Sequence, residues 1–151
     1  MLLCVDIGNT NIVMGVYRDE EMVGHWRIST DHEKMPDEYG ILLIAFLRHG
    51  GLDVDEIRGV AIASVVPPVT GVFSEMVTGY LGIEPLVVGG GVKTGVAVRY
   101  DSPRDVGADR IVNAAAVQRL YGGPACVVDF GTATTFDALS AKGEYLGGAI
   151  A

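Results

Sequence analysis

The chain's pattern predicts an α/β fold, a mixed sheet with flanking helices. Two observations carry this. Three β-prone runs are followed by helix, strand, helix and strand signals, a β-β-β-α-β-α-β order. One strand–tip–strand pattern also occurs twice, around Asp6 and around Asp129, which predicts a duplicated fold.

The first copy spans Leu2 to Tyr17. Leu2, Leu3, Cys4, Val5 and Ile7 read as a strand buried on both faces. Ile12, Val13, Met14, Val16 and Tyr17 form a second β-prone run. Between them Asp6 ends the buried run, Gly8 removes a side chain where the backbone turns, and Asn9, Thr10 and Asn11 supply polar donors. Donors for phosphate oxygens beside a carboxylate for Mg²⁺ or its waters would suit a metal-bound phosphate. Asn, Asp and Gly are also ordinary hairpin-turn residues. Asp129-Phe130-Gly131-Thr132-Ala133-Thr134 repeats the order Asp, apolar, Gly, polar, x, polar, and Cys126 to Val128 precede it as Leu3 to Val5 precede the first. That repetition favours phosphate binding over two incidental turns, with one nucleotide clamped between facing hairpins.

Glu21 to Ile28 is expected to be a third strand, and Ser29 to Lys34 a polar loop whose His32 is assigned no role. Pro36-Asp37-Glu38 opens a helix through Leu47, ended by Gly50-Gly51. Val60 to Val66 is an apolar strand, Pro67-Pro68 starts a helix to about Leu81, and Pro85 to Val88 is a short strand. The run Gly89 to Thr94 lacks the Gly before Lys93 that a P-loop needs, so it reads as a linker. No G-x-G-x-x-G follows a strand, which disfavours a dinucleotide fold. Val96 to Tyr100 is expected to be extended, Ser102-Pro103-Arg104-Asp105 to be a helix N-cap with Pro at the first helical position, interrupted by Gly107, and Ala108 to about Tyr121 to form an Ala-rich helix stopped by Gly122-Gly123-Pro124.

Asp109 falls at the start of that helix, where a carboxylate is favoured in its ionised form. It is either a capping residue or a carboxylate that accepts a hydroxyl proton during phosphoryl transfer. Arg110 beside it either pairs with an anionic substrate group or makes a surface ion pair.

With 151 residues, 49% of them hydrophobic, the chain can form a real core, and one domain is the default at this length. The two aspartates are 123 residues apart, so a complete duplicated protein would be roughly 246 residues long. The expected organisation is therefore a first domain, 1–122, and the opening hairpin of a truncated second, 123–151. A net charge of −8 argues against nucleic acid and anionic membranes as partners. Cys4 and Cys126 sit in equivalent apolar runs without metal-ligand spacing and read as buried small hydrophobes in a reducing cytoplasm. The five-residue apolar start runs into Asp6, unlike a signal peptide, and Ile41 to Leu47 is too short to cross a membrane.

Taken together these residues resemble the type III pantothenate kinases, of the superfamily that includes sugar and acetate kinases, actin and heat-shock chaperone ATPases. Three motifs match: DIGNTN at Asp6 to Asn11, GADR at Gly107 to Arg110 with Tyr100 upstream, and DFGTATT at Asp129 to Thr135. The first and third indicate the superfamily, the middle one the kinase. The resemblance implies a ribonuclease-H-like fold and transfer of the ATP γ-phosphate to pantothenate, the first step of coenzyme A synthesis. It implies Asp109 as proton acceptor, with Tyr100, Gly107, Ala108 and Arg110 lining the pantothenate pocket. It further implies that Asp6, Ile7, Gly8, Asn9, Thr10, Asn11, Ile12 and Val13 bind ATP phosphates with Mg²⁺ near Asp6. Thr132 would contact ATP from the facing hairpin, and Asp129 would hold a monovalent cation, K⁺ or NH₄⁺. Homodimerisation is implied too. Val13 brings no cation to the first loop, and the rest of the second domain lies outside this chain, which bears on whether it acts alone. Two alternatives compete: a non-catalytic transcription accessory factor on the same fold, opposed by the acidic balance and the intact Asp109, and an actin- or chaperone-like ATPase, for which the GADR segment gives no reason.

Overall fold

The computed structural model describes residues 1–89, 91–100 and 102–151, so Gly90 of the expected linker lies outside the described residues. The chain divides into two compact units, Met1–Val87 and Val88–Ala151.

The first unit contains β1 (Leu2–Ile7), β2 (Asn11–Arg18), β3 (Glu21–Ser29), α1 (Pro36–His49), β4 (Gly59–Ser64), α2 (Pro67–Leu81) and β5 (Leu86–Val87). The sheet order is β3-β2-β1-β4-β5. The first three strands form an antiparallel meander, and β4 and β5 join β1 in parallel, giving the mixed sheet expected. Each parallel step requires a crossover, supplied by α1 and then α2. Both crossovers move the same way along the sheet. Two right-handed crossovers in one direction place their helices on one face.

That explains a difference from expectation. β1 is buried on one face, not two. Leu3, Val5 and Ile7 pack with Ile12, Met14 and Val16 of β2, with Tyr39, Leu43 and Leu47 of α1, and with Val69, Phe73, Met76 and Val77 of α2. Leu2 is 43% exposed on the other face, Asp6 is exposed and Cys4 is half-buried. Cys126, expected to be buried, is exposed for the same reason, since its strand too is covered on one side. The i, i+4 spacing of Tyr39, Leu43 and Leu47 gives α1 its apolar stripe.

Helix ends follow the residues that mark them. The Met35 N–H donates to the Glu38 carboxylate (2.9 Å), and Gly82 closes α2 at φ 64°. β4 stops at Ser64, two residues earlier than expected, because the Ser64 hydroxyl turns to accept the Val66 N–H (3.0 Å) and the Thr70 hydroxyl (2.7 Å). A 3-10 turn at Val54–Glu56, not expected from the sequence, is started by Asp53 accepting the Asp55 N–H.

The second unit contains a 3-10 turn (Pro103–Asp105), α3 (Ala108–Leu120) and an antiparallel meander of β6 (Ala125–Phe130), β7 (Thr134–Leu139) and β8 (Tyr145–Ile150). Ser102 is the N-cap of this 3-10 turn instead of an α-helix, and its side chain makes no capping hydrogen bond among the described residues. The segment expected to be extended bridges β8 instead of forming a strand of its own. Val98 pairs with Tyr145, and the Arg99 N–H donates to the Tyr145 carbonyl (2.8 Å). A small core of Ala114, Leu139 and Tyr145 lies between α3 and this sheet. Compactness thus groups α3 with the second meander, whereas the expected 122/123 boundary concerns which copy of a duplicated fold each segment belongs to.

Among the described residues no helix is long and apolar enough to cross a membrane.

Candidate active site

In the first unit β1 and β4 are parallel and in register, so Ile7 and Ser64 end together at one sheet edge. In α/β sheets the edge at the strands' carboxyl ends is where ligands bind. Asp6 stands one residue before that edge, directly across from Val13 on one side and Ala63 on the other. The tip then turns back on itself, the Gly8 N–H donating to the Asn11 carbonyl (3.0 Å). A Cβ at Gly8 would lie 3.3 Å from that oxygen, a crowded contact. Asn9, Thr10 and Asn11 are exposed. Ile7 and Ile12 are fully buried, so they root the tip in the core and offer a ligand only backbone.

Thr30, which the sequence did not single out, braces the tip from β3's end. Its hydroxyl donates to the Gly8 carbonyl (2.6 Å), and its N–H to the Thr10 carbonyl (2.9 Å).

In the second unit Gly107 is the N-cap of α3, and Asp109 lies in its first turn. One Asp109 oxygen accepts the Arg110 N–H (2.8 Å), so it does satisfy a free helix donor. Its other oxygen has no hydrogen-bond partner among the described residues. Four residues on, and so on the same helix face, the Asn113 amide donates to Asp129 (3.1 Å). Asp129 is half-buried near the end of β6, and Gly131 turns its N–H onto the Ala133 carbonyl (3.1 Å), with Thr132 exposed at the tip. The two tips share this folded-back glycine but differ in length. Four residues separate the pair Ile7 and Ile12, and three separate Phe130 and Thr134.

Tyr100 and Arg110 meet at a cavity of about 280 Å³, lined also by Ser102, Asp105, Val106 and Tyr145. Arg110 does not make the surface ion pair that was one expectation. Its partner is Asp137 of β7, which is fully buried. Nε and Nη2 approach one Asp137 oxygen at 2.7 and 2.6 Å, and the Tyr145 hydroxyl donates to the same oxygen at 2.7 Å. Burial pulls the Arg110 pKa down, but the hydrogen bond and charge of Asp137 outweigh it and the net shift is upward. Burial, then the bond to Asp137, pushes the Tyr145 phenol well above its ordinary 10.0.

A phenol pKa raised by folding means that the folded protein holds a proton which the unfolded chain releases near pH 10. The stabilisation is therefore complete below about pH 10 and is lost as pH rises above it. Thermal melts between pH 8 and 11 should show a steep fall at the alkaline end, and Tyr145→Phe should reduce that slope. Tyr80, raised by its hydrogen bond to Asp37, contributes in the same direction, so the slope is reduced rather than abolished.

Among the described residues no group of three or more His, Cys, Asp or Glu side chains is arranged to hold a metal ion.

A family model described as type III pantothenate kinase matches residues 2–151. The chain belongs to that family. It is 61% identical over 151 residues to the type III pantothenate kinase of Moorella thermoacetica, covering all of this chain and 59% of that protein. Against the type III pantothenate kinase of Geobacter sulfurreducens the identity is 58%, again over all of this chain and 59% of the relative. The chain thus spans about three fifths of the length of the curated relatives it matches. A candidate 2-dehydro-3-deoxygalactonokinase from Sinorhizobium meliloti shares the fold at a TM-score of 0.56 and 15% identity, over 99% of this chain and 53% of that one. This likeness bears on the fold, a mixed α/β sheet with flanking helices.

The residues missed from sequence are Thr30, Asn113, Asp137 and Tyr145. Asp137 carried a usable signal: a carboxylate between Phe136 and Leu139 on a β-prone run has to find a cationic partner if that run is buried.

Proposed function

We propose that the complete protein transfers the γ-phosphate of ATP to the primary hydroxyl of pantothenate, giving 4'-phosphopantothenate at the start of coenzyme A synthesis. The observation that carries this is the shared cavity of Tyr100 and Arg110, with Asp109 on the same helical turn as Arg110. Its size lies just below the range of small-molecule clefts, roughly 300–1,000 Å³. An anionic, hydroxylated acid suits an arginine fork beside a phenol.

In this reading Asp109 orients the acceptor hydroxyl and takes its proton, while Tyr100, Gly107, Ala108 and Arg110 hold the rest of pantothenate. Phosphoryl transfer through a loose transition state asks chiefly for positioning and charge stabilisation. The Gly8–Asn11 tip and Thr132 supply donors for the phosphate chain, with Ile7, Ile12 and Val13 fixing the first tip. Asp6 and Asp129 offer oxygen ligands suited to hard cations. A nucleotide-bound Mg²⁺ takes one or two carboxylates plus water and phosphate, so Asp6 without a cage of acids fits it. When bound, Mg²⁺ would neutralise developing phosphate charge. Asp129, with one oxygen held by Asn113, fits a monovalent cation such as K⁺ or NH₄⁺, which would add positive charge near the phosphates. We read the meanders β1-β2-β3 and β6-β7-β8 as the two openings of a duplicated fold, 1–122 and 123–151. The protein is proposed to act as a cytoplasmic homodimer, without nucleic-acid or membrane partners.

A coupled ADP-release assay on the complete protein tests this, with turnover that depends on pantothenate, Mg²⁺ and K⁺ as the expected result. ADP release that ignores pantothenate would overturn it. The brace on the first tip gives a second check. Thr30→Val keeps the side-chain shape but loses the bond to Gly8, and a net hydrogen bond near 1 kcal/mol predicts a roughly five-fold rise in the KM for ATP. The KM for pantothenate should not move.

A further inference from the structure

We propose that Asp137 is a positioning residue that aims the Arg110 guanidinium at the carboxylate of the acceptor. This rests on the reading above that Arg110 receives that carboxylate.

Asp137 is the one charged side chain fully buried among the described residues, in a strand whose neighbours Leu139 and Tyr145 belong to an apolar core. A buried ion pair is seldom the most stable choice, since apolar residues of similar size often do as well or better. Its geometry is also uneven. Arg110 Nε, Arg110 Nη2 and the Tyr145 hydroxyl all converge on one Asp137 oxygen. The other oxygen is buried with no partner. What the arrangement does well is fix a direction.

A guanidinium has two edges that can grip a carboxylate, one through Nε and Nη2 and one through Nη1 and Nη2. Asp137 occupies the first. On the second, Nη1 has no partner among the described residues, Nη2 also makes a long contact to the Phe136 carbonyl (3.4 Å), and Arg110 lines the 280 Å³ cavity. The Tyr145 ring lies 5.9 Å from the guanidinium carbon and limits its swing. The slot for the side chain is made by Gly148, which pairs with Asp137 across β7 and β8. A Cβ there would run into Arg110 Nη2 and the Phe136 carbonyl oxygen. The guanidinium is thus held before any acceptor arrives, so less freedom is lost on binding.

The complete protein is assayed with pantothenate and with its primary carboxamide, which lacks the charge Arg110 would grip. Asp137→Asn should raise the KM for pantothenate roughly ten-fold or more, leave kcat within about three-fold, and leave the KM for the carboxamide within about two-fold. Equal losses on both acceptors would mean a general structural role and overturn the proposal. Arg110→Ala separates the two levels of inference. If it penalises pantothenate over the carboxamide while Asp137→Asn does not, the positioning role falls and the reading of Arg110 stands. If Arg110→Ala shows no such bias, the carboxylate reading fails and the proposal falls with it. Should Asp137→Asn not fold, the wild-type protein still answers. With ¹⁵N-arginine, the Arg110 Nε–H should exchange slowly before pantothenate is added and change little afterwards. Rapid exchange in the free protein would overturn the proposal.

Discussion

Asp109→Asn in the complete protein is expected to lower kcat by roughly 10²–10⁴-fold, the range a positioned proton acceptor contributes. The substitution is chosen because it pulls apart the observed role of Asp109 and the proposed one. One oxygen accepts the Arg110 N–H in the first turn of α3. Asn caps helix donors about as well as Asp, so that bond survives. The charge that favours a carboxylate near a helix N-terminus is lost, which costs roughly 0.3–1 kcal/mol and leaves the fold intact. An amide cannot take the hydroxyl proton. The melting temperature should therefore shift by a few degrees at most while turnover collapses. The KM values for ATP and pantothenate should stay within a few-fold, since the phosphate tips and Arg110 are untouched. Near-normal kcat would remove Asp109 as the acceptor and leave it a helix cap.

The sheet was legible because its strands are short, β-branched and separated by turn residues. Both helices of the first unit begin at prolines and end near glycines, positions where backbone chemistry restricts the choices. Sidedness was not legible. Leu2 and Cys4 are as apolar as Leu3 and Val5, so composition cannot reveal that both crossovers pass on one face. That follows from handedness and strand order together, which no single run of residues displays.

The site divides in the same way. Asp6, Asp109 and Asp129 were visible because each sits in a local motif with a glycine two residues away. Thr30, Asn113, Asp137 and Tyr145 act on those motifs, or on Arg110, from other elements. Thr30 reaches Gly8 across 22 positions and Arg110 reaches Asp137 across 27. Spacing within a segment says nothing about such pairs. The exception is Asn113, whose place four residues after Asp109 puts both on one helix face. The paired glycines of β8 read equally well as loose strand residues. Only the register, with Gly148 opposite Asp137 and a Cβ at Gly147 lying 3.1 Å from the Tyr100 ring, shows that they make room for Arg110 and Tyr100.

Asp6→Asn should produce the other large loss, and on the opposite substrate. Asp6 lies on the open face of the first sheet, paired on both sides and one residue from the strand's end. Asn has the same shape and keeps a carbonyl oxygen, so an exposed strand position should tolerate it with little change in melting temperature. Electrostatically the change is severe. A neutral amide is a poor ligand for Mg²⁺ or its waters, and removing one group that stabilises developing charge typically costs about 10²–10³-fold in rate. The expected signature is a fall of that size in kcat/KM for ATP, with the Mg²⁺ midpoint of turnover moving to higher concentration. Pantothenate binding, followed calorimetrically without nucleotide, should be unaffected, because Tyr100 and Arg110 belong to the second unit. If the Mg²⁺ midpoint stays where it was while activity falls, Asp6 acts through the tip's shape and not through the cation. If activity does not fall at all, the DIGNTN tip is a turn and nothing more.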